Sequence, residues 1–189
     1  MNDTLIIAYS NQANLGIPMN YYNWQGVPMW QHVYQRFSNL DCNKIFIIGL
    51  DTLDTESVEK SIHDIILKEK ATNVLLFDMS LVMVSDKTIT HFLNEEKSIV
   101  ATSYLKNPCF DYITQNTFFS NEMCVIESLQ KYNREKLLKV YSDNKISNLN
   151  QIFGYYKLNS EVVFKELTND EKIKLVTKKD ARIINFLKN

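Results

Sequence analysis

Asn73-Val74-Leu75-Leu76-Phe77-Asp78 is a run of four apolar residues closed by an acid. A short apolar run without polar alternation suits a strand covered on both faces, with the carboxylate marking where the chain leaves the core. Three other stretches share this character: Leu5-Ile6-Ile7-Ala8, Lys44-Ile45-Phe46-Ile47-Ile48-Gly49 and Ser98-Ile99-Val100-Ala101-Thr102. Helix-period segments lie between them. Met29 to Leu40 places Met29, Val33, Tyr34 and Phe37 on one stripe, behind a Pro28 suited to a first helical turn. Thr55 to Glu69 carries Val58, Ile62, Ile65 and Ile66 at the same period, and Ser85 is placed to cap a helix running through Leu93.

Alternating strands and helices, with near-continuous apolar strands, define an α/β protein with a mostly parallel sheet. Ligands of such sheets bind outside the carboxyl ends of the strands. That rule brings together the loop after Ala8, the loop after Gly49, and Asp78. Further along, Asn121–Gln130 and Arg134–Tyr141 read as helices, Ser160–Glu166 and Lys172–Val176 as strands, and Lys178–Leu187 as a closing helix. No repeat or linker divides the 189 residues, so a single domain over 1–189 is expected.

A net charge of -1 gives no electrostatic case for nucleic acid or an anionic membrane surface. No apolar run reaches the length of a membrane span, and the start of the chain lacks a signal core, so a cytoplasmic protein is expected. Cys42, Cys109 and Cys124 suit neither a zinc site nor a disulfide framework and read as buried free thiols. His32, His63 and His91 fall on three separate helices, away from metal-ligand spacing. Asp51 and Asp54 lack the spacing of an Asp-x-Asp metal motif, which argues against a sugar-transferring enzyme.

Pro18-Met19-Asn20-Tyr21-Tyr22-Asn23-Trp24-Gln25-Gly26-Val27-Pro28, followed by the helix to Phe37, resembles a family segment Pro-Lys-Gln-aromatic, then Gly-Lys-Pro, then a helix. Glu56-Ser57-Val58 resembles that family's Asp-Ser-Val, and Val74-Leu75-Leu76-Phe77-Asp78 its Val-Leu-Ile-His-Asp. Ile173-Lys174-Leu175-Val176-Thr177-Lys178-Lys179-Asp180 resembles its closing segment. The family is that of the sugar- and polyol-phosphate cytidylyltransferases of the methylerythritol-phosphate and ribitol-phosphate type. The resemblance implies a three-layer α/β/α, Rossmann-like nucleotidyltransferase sandwich.

It also implies a nucleotide site formed by Ala8, Tyr9, Ser10, Gly16, Ser57 and Asp78. Asp78 would be the metal-adjacent acid, and Lys174, matched with one inserted residue, would bind the substrate phosphate. The family's first loop is rich in glycine and ends in an Arg; here Ser10 and Gln12 stand for glycines and Asn14 for the Arg. Met19 stands for the Lys of Pro-Lys-Gln, and Asp54 and Leu81 stand for two further Arg. Attack on an α-phosphate brings two anions together, and such a site must neutralise them.

The expectation is therefore a cytidylyltransferase-like protein that is catalytically degenerate and acts by binding a partner or ligand. The partner would be a second copy of the chain or an active biosynthetic enzyme of isoprenoid or cell-surface polymer synthesis. The alternative is an active nucleotidyltransferase, using CTP or another NTP and a sugar or polyol phosphate, with rearranged cations such as Lys174 or Lys178. Only that alternative calls for Mg²⁺. A family dimerisation arm would fall on Tyr104–Phe119, which is short for it, with Thr114-Gln115-Asn116-Thr117 as a remnant. Met19, Tyr21, Tyr22, Trp24, Met29 and Trp30 read as core packing or as a partner-facing patch.

Overall fold

The computed structural model describes residues 3–10, 15–40, 44–49, 57–104, 109–111, 116–118 and 124–188. The chain runs β1 (Thr4–Tyr9), β2 (Asn23–Trp24), β3 (Val27–Pro28), α1 (Met29–Ser38), β4 (Lys44–Ile47), α2 (Val58–Lys68), β5 (Asn73–Asp78) and α3 (Asp86–Asn94). It continues through β6 (Ser98–Tyr104), β7 (Cys109–Asp111), β8 (Asn116–Phe118), β9 (Cys124–Asn133), α4 (Arg134–Asp143), α5 (Asn150–Asn159), β10 (Val162–Glu166) and α6 (Lys178–Lys188).

Six strands form one sheet in the order β10-β6-β9-β5-β1-β4. β1 pairs in parallel with both β4 and β5, and β10 pairs in parallel with β6. β9 runs antiparallel between β5 and β6, with a register shift against β6 near Val100–Thr102. Helices cover both faces. One layer of the core packs Ile6, Ala8, Leu75 and Phe77 against α1, α3 and α6 through Met29, Phe37, Phe92 and Ile184. The other packs Leu5, Ile7, Val74 and Leu76 against α2, α4 and α5 through Ile62, Leu137 and Ile152. The alternate residues of β1 and β5 thus feed two cores, which is why their sequences are apolar throughout. This is the expected three-layer α/β/α sandwich with a mostly parallel sheet.

The helix starts follow local chemistry. The hydroxyls of Ser57 and Ser85 accept the N–H groups of Lys60 and Thr88, and the side chain of Asn133 accepts that of Lys136. Gln25 and Gly26 both have positive φ, 52° and 92°, as a two-residue β2–β3 hairpin demands.

Three sequence expectations are overturned. Residues 124–130 belong to a strand, because β9 is needed to join β5 to β6. Ile173–Val176 is irregular chain outside the sheet, anchored by Leu175 N–H donating to the Ser80 carbonyl at 2.8 Å. α5 was not anticipated. Cys124 is exposed, against the expectation of a buried thiol, while Cys42 lies outside the described residues. Tyr104–Phe119 carries only the two short paired strands β7 and β8 within the described residues. Of the aromatic and methionine cluster, Met19, Trp24 and Met29 are core residues, Tyr22 and Trp30 pack against the core, and Tyr21 is exposed.

Candidate functional site at the carboxyl edge of the sheet

The strands β1 and β5 end side by side, with Tyr9 in register with Asp78. The backbone there is already stitched to neighbouring loops: Ile48 N–H donates to the Ala8 carbonyl at 2.9 Å, and Met79 N–H to the Tyr9 carbonyl at 2.8 Å. Ala8 is fully buried in the α1 layer, Tyr9 faces the α2 layer, and Ser10 is half-buried just beyond the strand.

Asp78 is almost wholly buried and accepts the Ser80 N–H at 2.9 Å. Burial raises its pKa above the ordinary carboxylate value; the Ser80 hydrogen bonds and the nearby Lys174 charge oppose that rise, and Glu127 adds to it. Tyr9 is pushed up in the same way, first by burial and then by the charge of Asp78, against a hydrogen bond with the Ser128 side chain.

Lys174 reaches this edge because Leu175 is tied to Ser80. Its ammonium lies 3.0 Å from Oε2 of Glu127, a buried residue of β9. The contact is one of charge, since the Oε2 atom has no well-aligned hydrogen bond. Ser103 Oγ donates to the other carboxylate oxygen, Oε1, at 2.7 Å. Asp78, Lys174, Glu127 and Ser103 therefore form one polar cluster. The sequence does not mark Glu127, because residues 121–130 read as a helix; the even spacing of Glu127, Leu129 and Lys131 is the signal of a strand face.

Ser57 is exposed, and its hydroxyl is spent on capping α2. Gly16 has φ 85°, and a Cβ placed there would lie 3.9 Å from the Lys178 ammonium, so this lysine of α6 passes over the loop backbone. Gln12, Asn14, Asp51 and Asp54 lie outside the described residues. Met19 and Leu81, at positions where the family resemblance would supply cations, are buried in the apolar core. The basic residues near the end of the chain are dispersed: Lys172 pairs with Glu166 at 3.5 Å, and Lys174 with Glu127.

Among the described residues, no group of three or more His, Cys, Asp and Glu side chains could hold a metal ion. Among the described residues, Asp78 and Glu127 are the two carboxylates of this cluster, and Lys174 stands in contact with Glu127. The histidines are separate: His32 bonds the Trp24 carbonyl, and His63 stacks on Tyr141 with ring centroids 4.7 Å apart. Cavities of about 510 and 600 Å³ occur in the molecule, the first beside α1 and the second beside α3 and β10. Neither is lined by Tyr9, Asp78, Glu127 or Lys174. No described helix is long and apolar enough to cross a membrane.

The sheet order and the two helical layers define a three-layer α/β fold, and solved cytidylyltransferases share that fold. The 4-diphosphocytidyl-2C-methyl-D-erythritol synthase of Anaerococcus prevotii superposes with a TM-score of 0.74 at 13% identity, over 100% of this chain and 99% of that one. The 2-C-methyl-D-erythritol 4-phosphate cytidylyltransferase of Thermus thermophilus gives 0.71 at 12% identity, over 98% of each chain. CMP:2-keto-3-deoxy-manno-octonic acid synthetase, complexed with CTP, gives 0.69 at 12% identity, over 99% of this chain and 98% of that one. At such identities the likeness is one of fold. No protein-family model matches the sequence, and no curated protein does.

Proposed function

We propose that this chain is a cytidylyltransferase-like binding protein, which takes a nucleotide at the carboxyl edge of its sheet and does not transfer the nucleotidyl group at an ordinary rate. The observation that carries this reading is the Lys174–Glu127 contact of 3.0 Å. The cation delivered to Asp78 is already neutralised, and the core holds Met19 and Leu81 where phosphate-side cations would be expected. Phosphoryl-type transfer depends on electrostatic stabilisation of developing charge, and losing one such donor in another enzyme costs about 3–4 kcal/mol. The sheet order shared with solved cytidylyltransferases supports retention of binding. The protein acts through a bound ligand or through a partner, either a second copy or an active enzyme of the same biosynthetic step, in the cytoplasm.

The second reading is a working nucleotidyltransferase that moves a nucleotidyl group from CTP to a sugar or polyol phosphate. Lys178 over Gly16 favours it, because that ammonium stands on the loop where the resemblance expects phosphates. Asp78 would then hold Mg²⁺ with the nucleotide. Calorimetric titration with CTP and Mg²⁺, followed by a transfer assay with polyol phosphates, separates the two. CTP binding without turnover supports the first reading, and turnover at an ordinary rate overturns it.

A further inference from the structure

The cavity of about 510 Å³ lies between α1 and the segment that follows β5, and it reaches the β2–β3 hairpin. Trp24, Met29, Phe77 and Met79 line it from the buried core. Gln25, Gln35 and Asp86 line it too and are exposed, so its mouth reaches solvent. Protein interiors pack closely, with few voids larger than a water molecule. A space of this size over apolar groups falls in the range of small-molecule sites, roughly 300–1,000 Å³. It stands apart from the polar cluster at the carboxyl edge. Phe77 belongs to the α1 layer, while the next residue, Asp78, is in register with Tyr9, which faces the α2 layer.

The lining sets the chemistry of an occupant. Its charged groups are Arg36 and Asp86, and these meet each other at 2.6 Å. Arg36 also donates to the Val84 carbonyl. A charged ligand would leave water here and find no unpaired counter-charge, which is costly. The thioethers of Met29, Met79 and Met83 adapt to flat rings and make favourable contacts with them. His32 adds an acceptor. Its Nε2 bonds the Trp24 carbonyl, and a carbonyl only accepts, so Nε2 carries the proton and donates. Nδ1 is then the acceptor of the neutral ring, without a partner among the described residues.

We infer that this cavity is a binding site for an uncharged aromatic small molecule carrying one N–H or O–H donor, which it directs at His32. The inference does not depend on the nucleotide reading, because none of Ala8, Tyr9, Asp78 and Lys174 lines the cavity.

The test titrates the full chain with indole, with its hydrocarbon counterpart indene, which has no donor, and with the anion indoleacetate. Calorimetry reads the affinity, and NMR of labelled methionine methyls reads the place. Indole is expected to bind with a Kd below about 1 mM and to shift the methyls of Met29, Met79 and Met83 more than that of Met19, which does not line the cavity. Indoleacetate is expected to bind at least about tenfold more weakly than indole. His32→Phe is expected to move the preference between indole and indene about fivefold toward indene, because the acceptor is gone. Met83→Trp, which fills the space, is expected to abolish indole binding. Four results would overturn the inference: no saturable indole binding up to about 10 mM, indoleacetate binding as tightly as indole, shifts centred on Met19, or an unchanged indole-to-indene ratio in His32→Phe. The first three use wild type alone, so they decide even if a variant fails to fold.

Discussion

Thr88 Oγ1 donates to Glu171 Oε1 over 2.6 Å, joining the first turn of α3 to the segment that follows β10. The same oxygen accepts from Ser85 N–H and Ser85 Oγ, while Thr168 N–H and Oγ1 donate to Oε2. One buried carboxylate thus clasps the chain that delivers Lys174 to its place. Burial raises the Glu171 pKa, but the hydrogen bonds from Thr88, Ser85 and Thr168 together outweigh it and hold the carboxyl down to about 2.

Glu171→Gln is therefore expected to destabilise the fold by roughly 1–3 kcal/mol at neutral pH, read as a lower urea midpoint. The sign with pH follows from a depressed pKa. The stabilisation is fully present above the unfolded value near 4.5 and is lost as pH falls toward about 2. The gap between wild type and variant should narrow across that window. A gap that stays constant from pH 5 to pH 2 would mean that the ionised carboxylate contributes nothing.

Lys131 lies fully buried in β9 and donates to the carbonyls of Leu93, at 3.0 Å, and Glu95, at the C-terminal end of α3. A cation suits the negative end of a helix and satisfies carbonyls that the helix leaves open. Lys131→Met is expected to cost roughly 1–3 kcal/mol, because acceptors lose their donor. Burial also lowers the Lys131 pKa. Burial thus offsets part of what the two hydrogen bonds contribute while the amine is charged, and that offset is relieved as pH rises toward the ordinary lysine value. The alkaline rise in stability should be absent from Lys131→Met, as denaturation at pH values approaching 10.5 would show.

Lys131 and Glu127 also explain where sequence reading stopped. β1, β5 and α3 were legible because their residue types, caps and period agree with their burial. In β9, by contrast, Glu127 and Lys131 are buried polar residues whose partners, Ser103, Lys174 and the Leu93 carbonyl, lie far away in sequence. Val125, Ile126 and Leu129 also fit a helical stripe, and the local pattern misses the strand. Ile173 and Leu175 alternate as a strand would, yet the sheet ends at β10, and Leu175 bonds to Ser80 in a loop. α5 carries Gly154 and is flanked by asparagines, so local signals for it are weak. The resemblance singles out Asp78 and Lys174; that Lys174 meets Glu127 needed three dimensions.

Ser57 gives a direct separation of cap from ligand contact. Its hydroxyl accepts Lys60 N–H at 3.2 Å and is exposed. Ser57→Ala should lower stability by about 1 kcal/mol, the usual cost of an N-cap. CTP affinity should stay within about twofold, since the hydroxyl is engaged in the cap. A tenfold loss of CTP affinity at unchanged stability would assign Ser57 to the nucleotide instead.

Asp78 is the group for which stability and function should pull apart. Its raised pKa means that the folded state penalises the ionised form, so the stability it contributes is present below the ordinary value of 3.8 and lost as pH rises through the folded value. Asp78→Asn keeps an oxygen for Ser80 N–H and removes the buried charge. At pH 7 the variant is expected to unfold at a higher urea concentration than wild type, with the difference vanishing below pH 3.8. A buried acid kept at such a cost is a mark of a functional site. The same substitution should then remove any enhancement of CTP affinity by Mg²⁺, measured by titration with and without the ion. A variant that is less stable at pH 7 and keeps the Mg²⁺ effect would make Asp78 a structural cap for Ser80 and move the ligand site away from β5.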